Sequence, residues 1–353
     1  MRHKIGVLTF HRCVNYGSYW QARCLLEWLE RRGHAAVLLD HVSEAVRRAE
    51  LQCALSPALP TATRSEDIPR YVQKIRAFRC AVQRLPRSAR FPLDQPQKSE
   101  TCEIVLVGSD EVFNLDHPWY GGWPLFFGEG VPGLRRAAYA ASFGNYQRDY
   151  IGAPWRNWLA NFEAISVREE SGRRLLEDVD SPAPELALDP CLLSPPAPGD
   201  SDPAGAERRY LAVYGHGFPE WFTQRVIGLA RRQGLRLVSV GYRNDWADEQ
   251  RIEAGPEAFR ALMSSAAAVA TNFFHGCVFA LLDRKPFACA ASRYRANKVR
   301  DLAALLGAHR HLVPESAPHA LDEAMAAPPD ASVYARISLM RARSEAFLDR
   351  ILA

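Results

Sequence analysis

Short apolar runs alternate with amphipathic stretches along most of the 353-residue chain. KIGVLTF (Lys4–Phe10) is rich in strand formers and ends in the polar, glycine-bearing HRCVNYGS. YWQARCLLEWLERRG then sets Trp20, Cys24, Leu25, Trp28 and Leu29 on one helical stripe. Gly33 stops that helix, and Arg31 and Arg32 suit its last turn. HAAVLLDH predicts the next strand. Strand, loop, helix and strand in this order make a βαβ unit, which implies a parallel sheet with right-handed crossovers.

The pattern recurs. IVLVGSDEVF, RRAAYAASFG, FEAISVREESGRRLLEDV and ELALDPCLL each open as a strand and close on a polar edge. Prolines interrupt residues 43–100, where RYVQKIRAFRCAVQRL predicts a solvated, basic helix. SPPAPGDSDPAGAER (Ser194–Arg208) has no periodicity and predicts a linker. A second series follows, from the strand RYLAVYGHG to the strand AAVATNFF and the helix HGCVFALLDRK. VYARISLMRARSEAFLDRILA predicts a long terminal helix. The expected fold is α/β, with two Rossmann-like parallel-sheet domains. Residues 1–195 form the first, with a helical insert at about 43–100, and residues 206–353 the second, with the terminal helix. Ligands of such sheets bind outside the carboxyl ends of the strands, so a cleft between the domains is expected.

Composition narrows the function little. Apolar residues make up 48% and charged residues 24%, as in ordinary soluble domains. A net charge of +4 does not point to nucleic acid. It suits an anionic substrate, or at most peripheral contact with an anionic membrane. No run reaches the roughly 18 apolar residues of a membrane span, and the N-terminal run ends early in His11, Arg12 and Asn15. A cytoplasmic protein is expected. Eight cysteines without a C-x-x-C pair read as reduced core residues, and ten histidines show no ligand spacing, so no metal site is expected. Oligomeric state is not fixed by any of these features.

Chemistry gathers at the predicted strand ends. His275 closes one strand and opens a helix, where free N–H groups and the helix dipole favour an anion. There it could bind a phosphate or carboxylate, or move a proton near neutral pH, although a core histidine held by a carbonyl has the same local sequence. Gly276 would let a ligand approach the backbone closely. Arg168 can hold an anion bidentately or pair with Glu169 or Glu170. Asn15, Tyr16 and Gly17 fit a tight turn into the first helix, with Asn15 also a natural cap. NYG is not a dinucleotide fingerprint, and Asp40 is the only evident acidic ribose partner, so a nicotinamide site has little support. Ser109–Asp110 could pair a nucleophile with a carboxylate or simply cap a helix, and no G-x-S-x-G elbow is present. Ser142 ends another strand. Trp119 and Trp123 could stack on a sugar or pack beneath their loop.

Six segments in order resemble the polysaccharide pyruvyl transferase family. They are the opening strand with its NYG turn, VGSDEVFN, AAYAASFG, ISVREESGRRLL, LALDPCLL, and the stretch from GPEAFRALMSSAAAVATNFFHG to RKPF. The resemblance implies two Rossmann-like domains in a GT-B-like arrangement. It also implies transfer of the enolpyruvyl group of phosphoenolpyruvate to sugar hydroxyls, usually as a cyclic ketal. Phosphoenolpyruvate would be a co-substrate, with no further cofactor. The acceptor would be a sugar or glycan, lipid-linked acceptors included. On this reading His275 is the acid or a phosphate ligand, and Asp110 orients or deprotonates the acceptor. Arg168, Asn272, Gly276, Arg293, Arg295 and Arg300 lie on the donor side. Asn15, Tyr16, Gly17, Ser109, Ser142, Trp119 and Trp123 line the acceptor side. Two departures stand out. Phe273 occupies a position where family members carry Ser or Arg, and Trp20 replaces a smaller aliphatic residue. A nucleotide-sugar glycosyltransferase, an enzyme acting on a non-polysaccharide small molecule, and a binding protein that kept the fold are the competing readings.

Overall fold

The computed structural model describes residues 2–199, 209–290 and 296–353. The first strands are β1 (Lys4–Leu8), β2 (Ala35–Leu38), β3 (His41–Val42), β4 (Phe91–Pro92), β5 (Cys102–Val107), β6 (Gly133–Ala141), β7 (Ala164–Val167) and β8 (Glu185–Leu186). Later in the chain come β9 (Tyr210–Tyr214), β10 (Arg236–Val240), β11 (Glu249–Arg251), β12 (Ala268–Thr271) and β13 (Phe287–Cys289). Two compact units result. One holds Met1–Glu50, Val82–Pro196 and Ile337–Ala353, the other Leu51–Ala81 and Ala197–Arg336.

In the first unit the sheet runs β2-β1-β5-β6-β7-β8 among the described residues, and its pairings are parallel. Ile5 stands opposite Ile104 and Val7 opposite Leu106. Strands covered on both faces read as continuous apolar runs, which is why KIGVL and CEIVLV show little alternation. One face packs Leu8, Val105, Val107, Phe126 and Ile165 into a core. The other packs Val7, Leu25, Leu29, Leu106 and Tyr139. Phe347, Leu348, Ile351 and Leu352 of the terminal helix Ala331–Leu352 join that second core. The Ser344 hydroxyl fixes the helix by accepting from the Leu188 N–H at 2.9 Å. The end of the terminal helix, expected with the second domain, therefore lies in the first unit.

The sheet of the second unit runs β11-β10-β9-β12-β13, again parallel. Part of the expected first-domain insert belongs here. The helix Ile68–Gln83 is not solvated all round, because Tyr71, Ile75 and Phe78 are buried. Asp67, just before it, accepts from Arg243 at 2.6 Å, and Arg70 donates to Glu253 at 2.8 Å. Lys74 is buried, donates to the Gly241 carbonyl at 2.9 Å and lies 4.3 Å from the Tyr242 ring centre. Basic residues that looked like a solvated face are thus partly ties to the loops that follow β10 and β11. No described helix is long and apolar enough to cross a membrane.

Burial pushes the Lys74 ammonium down to about 7, from an ordinary value of 10.5. The unfolded chain keeps this proton up to about 10.5, so the group opposes folding fully below pH 7 and progressively less above it. Lys74→Met removes the titration. The stability advantage of the variant over wild type should shrink as pH rises from 7 towards 10, by about 1 kcal/mol per pH unit. Urea unfolding across that range measures it, and a pH-independent difference would contradict a neutral buried lysine.

Candidate active site

Each sheet reverses its strand order at one place among the described pairings, between β1 and β5 in the first unit and between β9 and β12 in the second. Loops leave such a point on opposite sides of the sheet and open a crevice at the carboxyl ends of the strands. Most of the chemistry-bearing residues fall at these two points.

In the first unit the loops are Thr9–Asn15 after β1 and Gly108–Asp110 after β5. Gly108 has φ 120°, and a Cβ there would lie 2.2 Å from the Tyr139 carbonyl, so only glycine fits. Ser109 is fully buried. Its hydroxyl donates to the Ala140 carbonyl at 2.7 Å, and its own carbonyl accepts from the Thr9 hydroxyl at 2.7 Å. Asp110 is half-buried, with Oδ2 accepting from the Ser18 hydroxyl at 2.5 Å and Oδ1 accepting from the Glu111 N–H at 2.8 Å. Asn15 is exposed and caps the helix Tyr16–Arg31 by accepting from the N–H groups of Gly17 and Ser18 at 2.8 and 3.2 Å.

The acceptor-side assignments divide accordingly. Asn15 is exposed and Asp110 half-buried in the loops after β1 and β5, whereas Tyr16, Gly17, Ser109 and Ser142 are buried. Ser142 is held below the surface because its hydroxyl accepts from the Gly144 N–H at 3.0 Å. Trp119 and Trp123 are half-buried on the core, with the Trp123 indole donating to the Trp119 carbonyl at 3.2 Å. Asp40 is no ribose partner. It accepts from His11 and Arg12 at 2.8 Å and from Arg87 at 3.1 Å. Although burial opposes its charge, these bonds hold its carboxyl far below the usual range. His41 beside it is driven down to about 3 by burial and the neighbouring His11.

Sequence reasoning missed Glu50. Its carboxyl is hydrogen-bonded with the Cys13 thiol and the Val14 backbone, and burial pushes it up to about 6, with Asp110 adding like-charge repulsion. Cys13 is also hydrogen-bonded with Tyr120, and burial raises its thiol well above the ordinary range. Glu50 lies in the proline-broken region where no period or motif marks it, so no local signal could have found it.

Arg168 follows β7 and takes the salt-bridge alternative. Its buried guanidinium donates to Asp189 at 3.0 Å and to Gln21 at 3.1 Å, and sits 3.6 Å from Glu169. Burial works against its charge, but Asp189 and Glu169 more than offset this. Glu169 in turn accepts from the Phe143 N–H at 2.7 Å, which locks β6 to β7.

In the second unit the loops are Gly215–Gly217 after β9 and Asn272–Phe273 after β12. The Thr271 hydroxyl donates to the Tyr214 carbonyl at 2.6 Å and accepts from the Phe273 N–H at 3.0 Å, which ties the two strand exits together. Asn272 donates to the His216 carbonyl at 2.7 Å. Phe273 packs edge-on against Tyr214, His216 and Tyr242 with ring centres 5.0, 5.3 and 5.5 Å away. A polar residue would lose those contacts. His275 is the half-buried second residue of the helix Phe274–Leu282. Phe273 at the cap supplies no side-chain oxygen to the first turn, so the helix start keeps its bias towards an anion. Arg300 is exposed on the helix Ala296–Leu306, whereas Arg293 and Arg295 lie outside the described residues.

These two parallel sheets, each with a reversal of strand order, define a Rossmann-like fold of the GT-B kind. Within that class the chain belongs to the polysaccharide pyruvyl transferase family, whose model matches residues 15–293. A UDP-N-acetylglucosamine 2-epimerase structure is similar with a TM-score of 0.52 at 13% identity, over 99% of this chain and 95% of that one. An S. aureus MnaA–UDP structure is similar with a TM-score of 0.50 at 12% identity, over 96% and 91%. A Streptomyces sp. SF2575 glycosyltransferase, SsfS6, complexed with thymidine diphosphate, gives 0.46 at 15% identity, over 98% and 96%. At these identities the first two show the fold alone. No curated protein matches the chain.

Gly276 sets how close the His275 helix comes to β12. A Cβ there would lie 2.0 Å from the Thr271 hydroxyl. Gly276→Ala should cost roughly 1–3 kcal/mol in denaturant unfolding. A Thr271→Ala/Gly276→Ala double variant should recover part of the loss, since it removes the hydroxyl at 2.0 Å and the methyl at 2.9 Å and leaves only the Cβ of residue 271 at 2.6 Å. Strict additivity would contradict the contact.

Proposed function

We propose that the protein transfers the enolpyruvyl group of phosphoenolpyruvate to hydroxyls of a sugar or glycan, lipid-linked acceptors included, forming a pyruvate ketal. The observation that carries this reading is His275 in the first turn of a helix at the switch point of the second unit, with no side-chain cap before it. Phosphoenolpyruvate carries a phosphate and a carboxylate. The N–H groups of the helix start favour such an anion, and the bound anion in turn favours the imidazolium of His275. That imidazolium protonates the donor methylene, the central carbon becomes electrophilic, and an acceptor hydroxyl adds to it before phosphate leaves. A second hydroxyl closes the ketal.

Asn272 and Gly276 support the donor side from β12 and its helix. Arg300, with Arg293 and Arg295 before it in sequence, supplies positive charge for the donor. Arg168 acts as a positioning residue, because its guanidinium is committed to Asp189 and Gln21. Asp110 and Asn15 serve the acceptor, and Trp119 and Trp123 offer partly exposed rings to a sugar face. The reading needs no metal and no further cofactor, and it sets the reaction in the cytoplasm.

Incubation with phosphoenolpyruvate and a panel of glycans and lipid-linked sugars should release phosphate and add pyruvate to the acceptor. His275→Ala should lower kcat/KM by about 10²–10⁴ while leaving the melting temperature close to wild type. Absence of both turnover and calorimetric binding of phosphoenolpyruvate overturns the proposal. Stabilisation by nucleotide sugars alone would favour glycosyl transfer instead.

A further inference from the structure

We infer that Arg12, Arg87 and Arg90 hold a phosphate group carried by the acceptor, so that the acceptor is a sugar phosphoester and not a neutral glycan. The inference deepens the acceptor side of the pyruvyl-transfer reading and rests on it for the role of the ligand. The anion site itself rests on the geometry of the first unit alone.

Three backbone segments bring the arginines together. Arg12 lies in the loop after β1, and Asp40 follows β2. Arg87 and Arg90 lie on the segment that leads into β4 and runs beside β2. There the Leu38 N–H donates to the Pro86 carbonyl and the Ser88 N–H to the Leu38 carbonyl, both at 2.9 Å, and the Phe91 N–H donates to the Asp40 carbonyl at 3.2 Å. The cluster thus sits at the carboxyl ends of β1 and β2, and β1 is also the neighbour of β5. Thr9 links it to the loop that carries Asp110. Its hydroxyl donates to the Ser109 carbonyl at 2.7 Å, and its own carbonyl accepts from His41 Nε2 at 2.9 Å.

The cluster holds more positive charge than its carboxylate can use. Arg12 alone grips Asp40 bidentately, with Nε donating to Oδ1 at 2.8 Å and Nη2 to Oδ2 at 2.7 Å. His11 bonds to Oδ1 at 2.8 Å, and Arg87 Nη1 donates to Oδ2 at 3.1 Å. A carboxylate offers about four acceptor sites, so these four bonds fill it. Arg90 Nε stands 3.8 Å from Oδ2, beyond hydrogen-bond reach. Among the described residues the three arginines meet no carboxylate other than Asp40. Glu50, which reaches the same loop, is hydrogen-bonded with the Cys13 thiol and the Val14 backbone instead. Three guanidiniums against one carboxylate leave two positive charges uncompensated (3 − 1). A purely structural ion pair needs only the first of them, and the others add mutual repulsion.

A phosphate group fits that surplus. Its oxygens accept from planar guanidinium forks, and its charge offsets the repulsion. Arg90 is 66% exposed and Arg12 is 30% exposed, so both present donors to solvent. Asp40 is buried and serves as the brace that fixes Arg12 and Arg87. A neutral hydroxyl would leave the surplus uncompensated.

The test begins with calorimetry on the whole protein, with pyrophosphate as the probe. Pyrophosphate should bind wild type, and Arg90→Ala should weaken it about tenfold or more. Arg90→Lys should recover only part of the loss, because an ammonium keeps the charge and lacks the fork. Since Arg90 is exposed and beyond hydrogen-bond reach of Asp40, Arg90→Ala should melt close to wild type. His275→Ala should leave the Arg90-dependent binding in place. Farnesyl diphosphate and UDP-N-acetylglucosamine then distinguish the source of the phosphate. Arg90-dependent binding of the first supports a lipid-linked acceptor and of the second a nucleotide-linked one, whereas binding of both that ignores Arg90 overturns the inference. In transfer assays Arg90→Ala should raise KM about tenfold for a phosphorylated acceptor, with kcat little changed, and leave KM unchanged for the same sugar without its phosphate. Pyrophosphate binding that is absent from wild type, or equal in wild type and folded Arg90→Ala, overturns the inference and leaves pyruvyl transfer intact. Arg90-dependent pyrophosphate binding without any turnover overturns the transfer reading and leaves the anion site standing.

Discussion

A parallel sheet covered on both faces leaves its polar chemistry one place to go. The strands of both units are buried against cores, and their carboxyl ends meet loops and helix starts. Where the strand order reverses, neighbouring loops part and leave space. That constraint puts Asp110 after β5 and His275 after β12, and it makes the surrounding residues serve as frame. Gly108, Ser109 and Thr271 contribute a missing Cβ and two hydroxyls, each used to hold a strand exit in place.

The two switch points have opposite character. The first gathers carboxylates, with Asp110 braced by Ser18 and Glu50 desolvated beside Cys13. The second gathers the start of an apolar helix, an imidazole and an asparagine amide, with aromatic rings beneath them. Carboxylates handle protons of neutral hydroxyls, and helix N-termini accept anions. Buried ion clusters brace two of the strand exits. Asp40 with His11, Arg12 and Arg87 secures the loop after β1, and Arg168 with Asp189 secures the exit of β7. Removing one partner from such a cluster is costly because the other charge stays buried.

Much of this was legible in the chain. Strands β1, β5, β9 and β12 stood out as apolar runs, and the six ordered motifs pointed to the family that the chain belongs to. His275 was visible as a polar residue at the junction of two apolar segments. Other residues were legible only as types. Ser109, Ser142 and Tyr16 looked like cleft residues because polar side chains near strand ends usually face solvent, yet each is buried. Arg168 could bind an anion or a carboxylate of its own chain, and only the position of Asp189, 21 residues further on, decided between them.

The sequence by itself determined the alternation of strand and helix, the parallel class of the sheets and the positions of the strand-end motifs. Local apolar period and turn residues set these, and both act over a few neighbouring positions. Tertiary structure decided the rest. It sent the helix Ile68–Gln83 to the second unit through Asp67, Arg70 and Lys74, and the end of the terminal helix to the first unit through Phe347 and Leu348. It also set Glu50 beside Cys13 and Asp110, although 37 and 60 positions separate them in sequence (50 − 13 and 110 − 50). Desolvation and like-charge repulsion depend on distance in space, and no pattern along the chain encodes that.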